Sequence, residues 1–148
     1  MSNADAAGNG PVGVSFHDRA AALLALNHGM VDVGFVRFNA DHVGARHDLF
    51  PKLTAAAPLV FNFKTTSGLV PKSVCARLVE EDSWIPTVTD HYRYALSHAE
   101  VDGILCALTQ PAHVKALHDA LAEGPLAEEE AAYVEELSRR RARLPPEA

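Results

Sequence analysis

Long apolar runs are missing from this chain of 148 residues. The longest, around Ala55 to Phe63, is broken by Pro58 and is far shorter than the roughly 20 residues that span a bilayer, so no membrane role is expected. Basic charge is also short. Thirteen Lys and Arg against nineteen Asp and Glu leave a net charge of −6, which supplies no field for nucleic acid. The one basic run, Arg139 to Arg141 with Arg143, suits the carbonyl end of a last helix. Cysteine is scarce: Cys75 and Cys106 lack CxxC or zinc spacing and read as buried free thiols of a reducing cytosol. The eight histidines form no HExxH, there is no GxSxG, and the Lys64 to Gly68 turn carries no GxGxxG. The first residues lack the basic-then-apolar order of a signal peptide, which makes a cytoplasmic protein the expectation.

What is present is enough apolar content, 48%, for one domain with a real core. That domain is placed at 11–143, between flexible ends at 1–10 and 144–148. Pro11 to Ser15 reads as a strand, and Asp18 opens a helix from Arg19 to Asn27 that Gly29 ends. Val31 to Phe38 is nearly continuous in apolar residues, which predicts a strand buried on both faces. A short helix is expected within Asp48 to Ala57, a strand over Leu59 to Phe63, and a polar turn at Lys64 to Gly68. A helix follows over Ser73 to Glu81. Trp84 lies in a connector, where a buried indole would need a partner. Thr87 to Asp90 offer caps for a helix to about His98, on which Tyr92 and Tyr94 cannot share a face. Asp102 to Leu108 is a fourth strand. Pro111 introduces a helix over Ala112 to Ala122, and Gly124-Pro125 separates it from a last helix, Ala127 to Arg143. Strands and helices that alternate in this way predict an α/β fold with a parallel sheet.

Polar loops at strand ends are where such folds place sites. Here Asn39, His42 and Arg46 are the best candidates for lining a pocket. Asp41-His42 and His47-Asp48 could hold zinc only if their loop folded back, and a solvated loop is the favoured reading, so no metal is assigned.

Four segments together resemble the C-terminal half of an aldo/keto reductase. GVSFHDR (Gly13 to Arg19) is similar to that family's fifth strand, and VDVGFVRFNADHVGAR (Val31 to Arg46) to its sixth. LVFNFKTTSGL (Leu59 to Leu69) is similar to the seventh. Pro86 to Glu130 resembles the helix, eighth strand and closing helices over some forty residues in uninterrupted order. The resemblance implies a parallel half of a (β/α)8 TIM-type barrel, with four strands and flanking helices. It implies an NADPH-dependent carbonyl reductase whose Asp, Tyr, Lys and His belong to absent strands, so no catalytic residue is assigned. Tyr92, Tyr94 and Tyr133, all in predicted helices, do not replace the proton donor.

The half that remains is the one that holds the cofactor in that family. Ser15 matches the serine that binds the nicotinamide carboxamide. Phe16 and Phe35 stand where an asparagine and a glutamine are usual, and Asn62 lies near the position of a stacking aromatic ring. In the phosphate region Thr109 replaces a lysine and Leu117 an asparagine, with His113 and Lys115 as substitutes at a helix start. The resemblance therefore implies an eroded NADP(H) site, with Ser15, Asn39, Thr109, Gln110 and His113 as the cofactor-binding candidates. Four strands cut from an eight-stranded barrel leave two open edges and an open inner face. The expected partner is a second copy or a complementary N-terminal half-barrel. The alternative is a non-catalytic half-barrel that serves as an assembly or binding module.

Overall fold

The computed structural model describes residues 10–54 and 58–145, and within them strands and helices alternate. The expected flexible ends fall, apart from Gly10, Leu144 and Pro145, outside the described residues. The strands are β1 (Gly13–Phe16), β2 (Val33–Arg37), β3 (Leu59–Phe63) and β4 (Gly103–Ile104). They form one sheet in the order β1-β2-β3-β4, with every pairing parallel. The helices are α1 (Arg19–Asn27), α2 (Ala45–Asp48), α3 (Lys72–Leu78), α4 (Val88–Leu96), α5 (Pro111–Glu123) and α6 (Glu128–Ala142). Neighbours in sequence that are neighbours in the sheet, joined by helical crossovers, make the arc of a (β/α) barrel. The expected parallel half-barrel is therefore what the chain forms.

The helix starts follow from local chemistry. Asp18 accepts the Ala20 and Ala21 N–H groups at 2.8 and 3.1 Å and so opens α1. Gly29, at φ +61°, turns the chain after it. Thr87 and Asp90 form a capping box at α4, in which the Thr87 N–H donates to Asp90 at 2.8 Å. Three glutamates begin α6 and three arginines end it, each sign where the helix dipole favours it.

The core lies on one face of the sheet only. Val36 and Val60 point toward Leu26 of α1 and Tyr94 and Ala95 of α4, with Phe38, Leu49 and Phe50 closing the cluster. Gly34 is required there, because a Cβ would stand 2.8 Å from the Leu26 side chain. A smaller cluster of Val70, Cys75 and Leu137 joins α3 to α6.

The other face corrects the expectation that β2 is buried on both sides. Val33, Phe35 and Arg37 are half-buried, and so are Phe61 and Phe63 beside them, because no described element covers that face. Phe35 and Phe61 pack on each other at 6.0 Å between centroids. The fourth strand pairs over two residues rather than seven. Leu105 still donates to Asn62 O at 2.8 Å, but beyond it no strand among the described residues continues the ladder.

Further differences are local. The helix expected in 48–57 is α2, three residues earlier, followed by a 3-10 turn at Phe50–Lys52, and residues 55–57 lie outside the described set. Cys75 is buried as expected, but Cys106 is exposed, beside the open edge. Trp84 is exposed and stacks on Tyr133, whose hydroxyl donates to Trp84 O at 3.0 Å. Tyr92 and Tyr94 point to different sides of α4, yet both are buried, because α4 is packed on both sides.

Candidate functional site at the ends of β3 and β4

The C-terminal ends of parallel strands, where backbone N–H groups and helix starts converge, are the usual place for a ligand. Here the ends of β3 and β4 bound a cavity of about 510 Å³. It is lined by Lys64, Thr65 and Thr66 after β3, by Val88, Thr89 and Tyr92 of α4, and by Leu105, Ala107 and Leu108 with His113 and Ala116 of α5.

Lys64 reaches this position through an uncommon backbone conformation. Its φ of +55° makes it the one non-glycine residue with positive φ among the described residues. For an L-residue that region costs about 1–2 kcal/mol, so something must hold it. Asn39 does so. Its side chain is fully buried, its amide donates to Lys64 O at 2.9 Å, and its carbonyl accepts the Asp41 N–H at 3.0 Å. Asn62 adds a second tie, donating to Phe38 O at 2.7 Å. The loops after β2 and β3 are thereby fixed to each other. A close approach at Gly68 seals the joint, where a Cβ would meet Ala40 at 3.1 Å. Thr65 is buried and lines the cavity, and its hydroxyl has no partner.

The predicted residues divide into two groups. His113 lines the cavity, and Thr109 and Gln110 lie exposed in the turn that leads to it, with Gln110 as the N-cap of α5. Ser15 lies two strands away, exposed on the uncovered side of β1 opposite Phe35. Asn39 is a buried strut rather than part of the cavity wall. Arg46 is turned outward into the helix layer, where it forms a two-pronged pair with Glu135 at 2.5 and 3.0 Å. Glu135 also accepts the Tyr94 hydroxyl at 2.9 Å, and burial, reinforced by this carboxylate, pushes the Tyr94 phenol far up.

The loop once considered for a metal is occupied by internal partners. Asp41 bonds to Ser138 and, at 2.5 Å, to Arg141, and Asp48 pairs with Arg19 at 2.6 Å. Among the described residues no group of three or more His, Cys, Asp or Glu is placed to hold a metal ion. Nor is any described helix long and apolar enough to cross a membrane.

Sequence reasoning missed Lys64, Thr65 and Arg37. Lys64 and Thr65 belong to KTTSG, read as a plain turn. The available signal was that it directly follows an apolar strand and ends in glycine. Arg37 was hidden in an apolar run, although a lone arginine at the end of such a strand is itself a signal. Its Nη2 meets His42 Nδ1 at 3.1 Å, and its Nε is buried without a partner. Burial, and then the Arg37 charge, lower the His42 pKa, so this imidazole is neutral at neutral pH.

No family model matches the chain, and no curated protein does. Solved structures do match. Aldo-keto reductase AKR11C1 from Bacillus halodurans, in its apo form, superposes with a TM-score of 0.64 at 16% identity, covering 83% of this chain and 49% of that one. Its holo form gives a TM-score of 0.61 at 17% identity, covering 84% and 49%. The fold is that of half an aldo-keto reductase barrel. The chain spans about half the length of these structures. On this half of the aldo-keto reductase fold, the cavity lies at the barrel's C-terminal face, the side that carries the sites of TIM-barrel enzymes.

Proposed function

We propose that this chain is the cofactor-binding half of an aldo-keto reductase-type barrel and holds NADP(H) across the ends of β3 and β4. The observation that carries the reading is the cavity beneath the start of α5, with Lys64, His113 and the unpartnered Thr65 hydroxyl around it. An ammonium, a hydroxyl and the positive end of a helix are groups that suit a phosphate-bearing ligand. Thr109 and Gln110 would contact the nucleotide at the mouth, and Ser15 would face its far end on the uncovered side of the sheet. A nicotinamide cofactor supplies the hydride, and this chain's residues bind and orient it. The site is eroded relative to the family pattern at Phe35 and Thr109, so weak binding is expected. Reduction of a carbonyl needs the missing half.

That half is a second copy or an N-terminal half-barrel. The open apolar face around Phe35 and Phe61 and the unpaired edges of β1 and β4 support this need for a partner. They also support the second reading, a half-barrel used only for assembly. Two unpaired cysteines, Cys75 and Cys106, fit a reducing cytoplasm. NADPH fluorescence titration tests the main reading. Saturable binding below millimolar, weakened by Lys64→Met and His113→Ala, is the expected result. No binding near millimolar NADPH overturns it and leaves the assembly module, which size-exclusion chromatography examines directly.

A further inference from the structure

The uncovered face of the sheet is apolar until its C-terminal end, where it carries a guanidinium. Arg37 is the last residue of β2, in register with Phe63 of β3 and two residues beyond Phe35. In β-strands such alternate residues share a face, so Arg37 lies on the side that would become the barrel interior, at its ligand-binding end. A cation there should have an anion beside it, and among the described residues this one has none in its immediate contacts. Its Nη2 meets a histidine nitrogen, His42 Nδ1, at 3.1 Å, and its Nε is buried with no partner. The acids nearby are committed elsewhere. Asp41 is held by Ser138 and Arg141, Asp48 by Arg19, and Asp18 by the first turn of α1. Lys64 adds a second positive charge to the same neighbourhood, since both it and Arg37 act on His42.

We propose that Arg37, braced by His42 and reinforced by Lys64, is an anion-binding site at the mouth of the half-barrel that takes the carboxylate or phosphate group of a small ligand. Arginine suits this task because its planar fork matches an oxyanion with two parallel N–H bonds. His42 acts as an acceptor that holds the fork on its Nη2 side while a ligand takes its other donors. The site shares Lys64 with the nucleotide cavity, but Arg37, its principal donor, does not line that cavity. It does not rest on the NADP(H) reading, and probes without a nucleotide keep the two tests separate.

The test is an NMR titration that follows the Arg37 Nε–H and His42 ring signals as malonate or inorganic phosphate is added to the whole chain. Saturable shifts in both groups are expected. Arg37→Met should weaken the tighter anion at least about tenfold, the worth of one charge-assisted hydrogen bond. Arg37→Lys separates the two chemistries. It should retain phosphate, which tolerates a point charge, and lose malonate, which needs the fork. Circular dichroism confirms that each variant is folded. Absence of saturable shifts at tens of millimolar of either anion in the wild type overturns the proposal. So does equal binding by Arg37→Met. An Arg37 signal that moves with protein concentration and is indifferent to both anions also overturns it, because Arg37 would then be paired with a carboxylate of another chain.

Discussion

Replacing Asn39 by alanine separates a strut from a ligand contact. Asn39 is 0% exposed and makes two hydrogen bonds, donating to Lys64 O at 2.9 Å and accepting from Asp41 N at 3.0 Å. Truncation leaves both backbone groups without that partner. A buried polar group left unsatisfied costs about 1–3 kcal/mol. Only Asp41 N is left unsatisfied, because Lys64 O still accepts from Ser67 N at 3.1 Å; with about 1 kcal/mol for the lost bond to Lys64 O, the expected loss is about 2–4 kcal/mol. For a domain of this size that lowers Tm by roughly 5–15 °C. Urea unfolding followed by circular dichroism measures it, with the m-value unchanged if only stability has moved. Asn39→Asp sharpens the test. It keeps an acceptor for Asp41 N but sets a carboxylate oxygen against Lys64 O, acceptor against acceptor. Its cost should equal or exceed that of alanine although its shape is nearly the same. An Asn39→Ala variant within 0.5 kcal/mol of wild type would refute the reasoning, as would an aspartate variant clearly milder than alanine.

Lys64→Gly should leave stability unchanged or raise it by up to about 1 kcal/mol, because relief at φ +55° competes with glycine's looser unfolded chain. It should also weaken phosphate-type ligands, and calorimetry reads both effects. Tyr94→Phe should cost about 1.5–2 kcal/mol and Glu135→Gln about 2–3, the latter discounted because the Arg46 side chain is 38% exposed. The double variant should fall short of additivity by at least 0.5 kcal/mol in a denaturation cycle. Acid should destabilise the fold through His91, which is 2% exposed and whose pKa burial lowers to about 4, despite Asp90 and Asp41 nearby. The unfolded chain, titrating near 6.5, then binds more protons between those values. Stability is full above pH 6.5 and falls by about 3 kcal/mol as pH drops to about 4. His91→Gln should flatten that part of the curve in a series of urea titrations.

Much of the architecture was legible because it is written in local signals. Asp18, Gly29, Thr87 with Asp90, and Pro111 each mark a helix boundary through their own backbone chemistry, and the alternation of strands and helices fixes the parallel sheet. The site was legible only in part. His113 and its turn could be found because a helix start announces itself. Asn39 was singled out as a pocket and cofactor residue and stands as a strut between two loops, since a polar residue after an apolar strand looks the same whether it faces a ligand or a neighbouring loop. Arg46 failed for the same reason: its partner Glu135 is 89 residues away and no local pattern points to it. The double burial expected for β2 failed for a different reason. Its apolar sequence describes two covered faces, and this chain supplies the cover for one.

The bonds that hold α6 against the loop after β2 have a consequence in time. They join residues 89, 97 and 100 positions apart, Arg46 to Glu135, Asp41 to Ser138 and Asp41 to Arg141. At synthesis rates of about 5–20 residues per second, Asp41 and Arg46 emerge roughly 5–20 s before the helix that neutralises them. Until then the first three strands carry unpaired charges next to their growing core. The sheet can thus begin to assemble in chain order, but its central loop settles only when the last helix arrives. A chain stopped short of Glu135 would keep every strand and lose the clasp that fixes them.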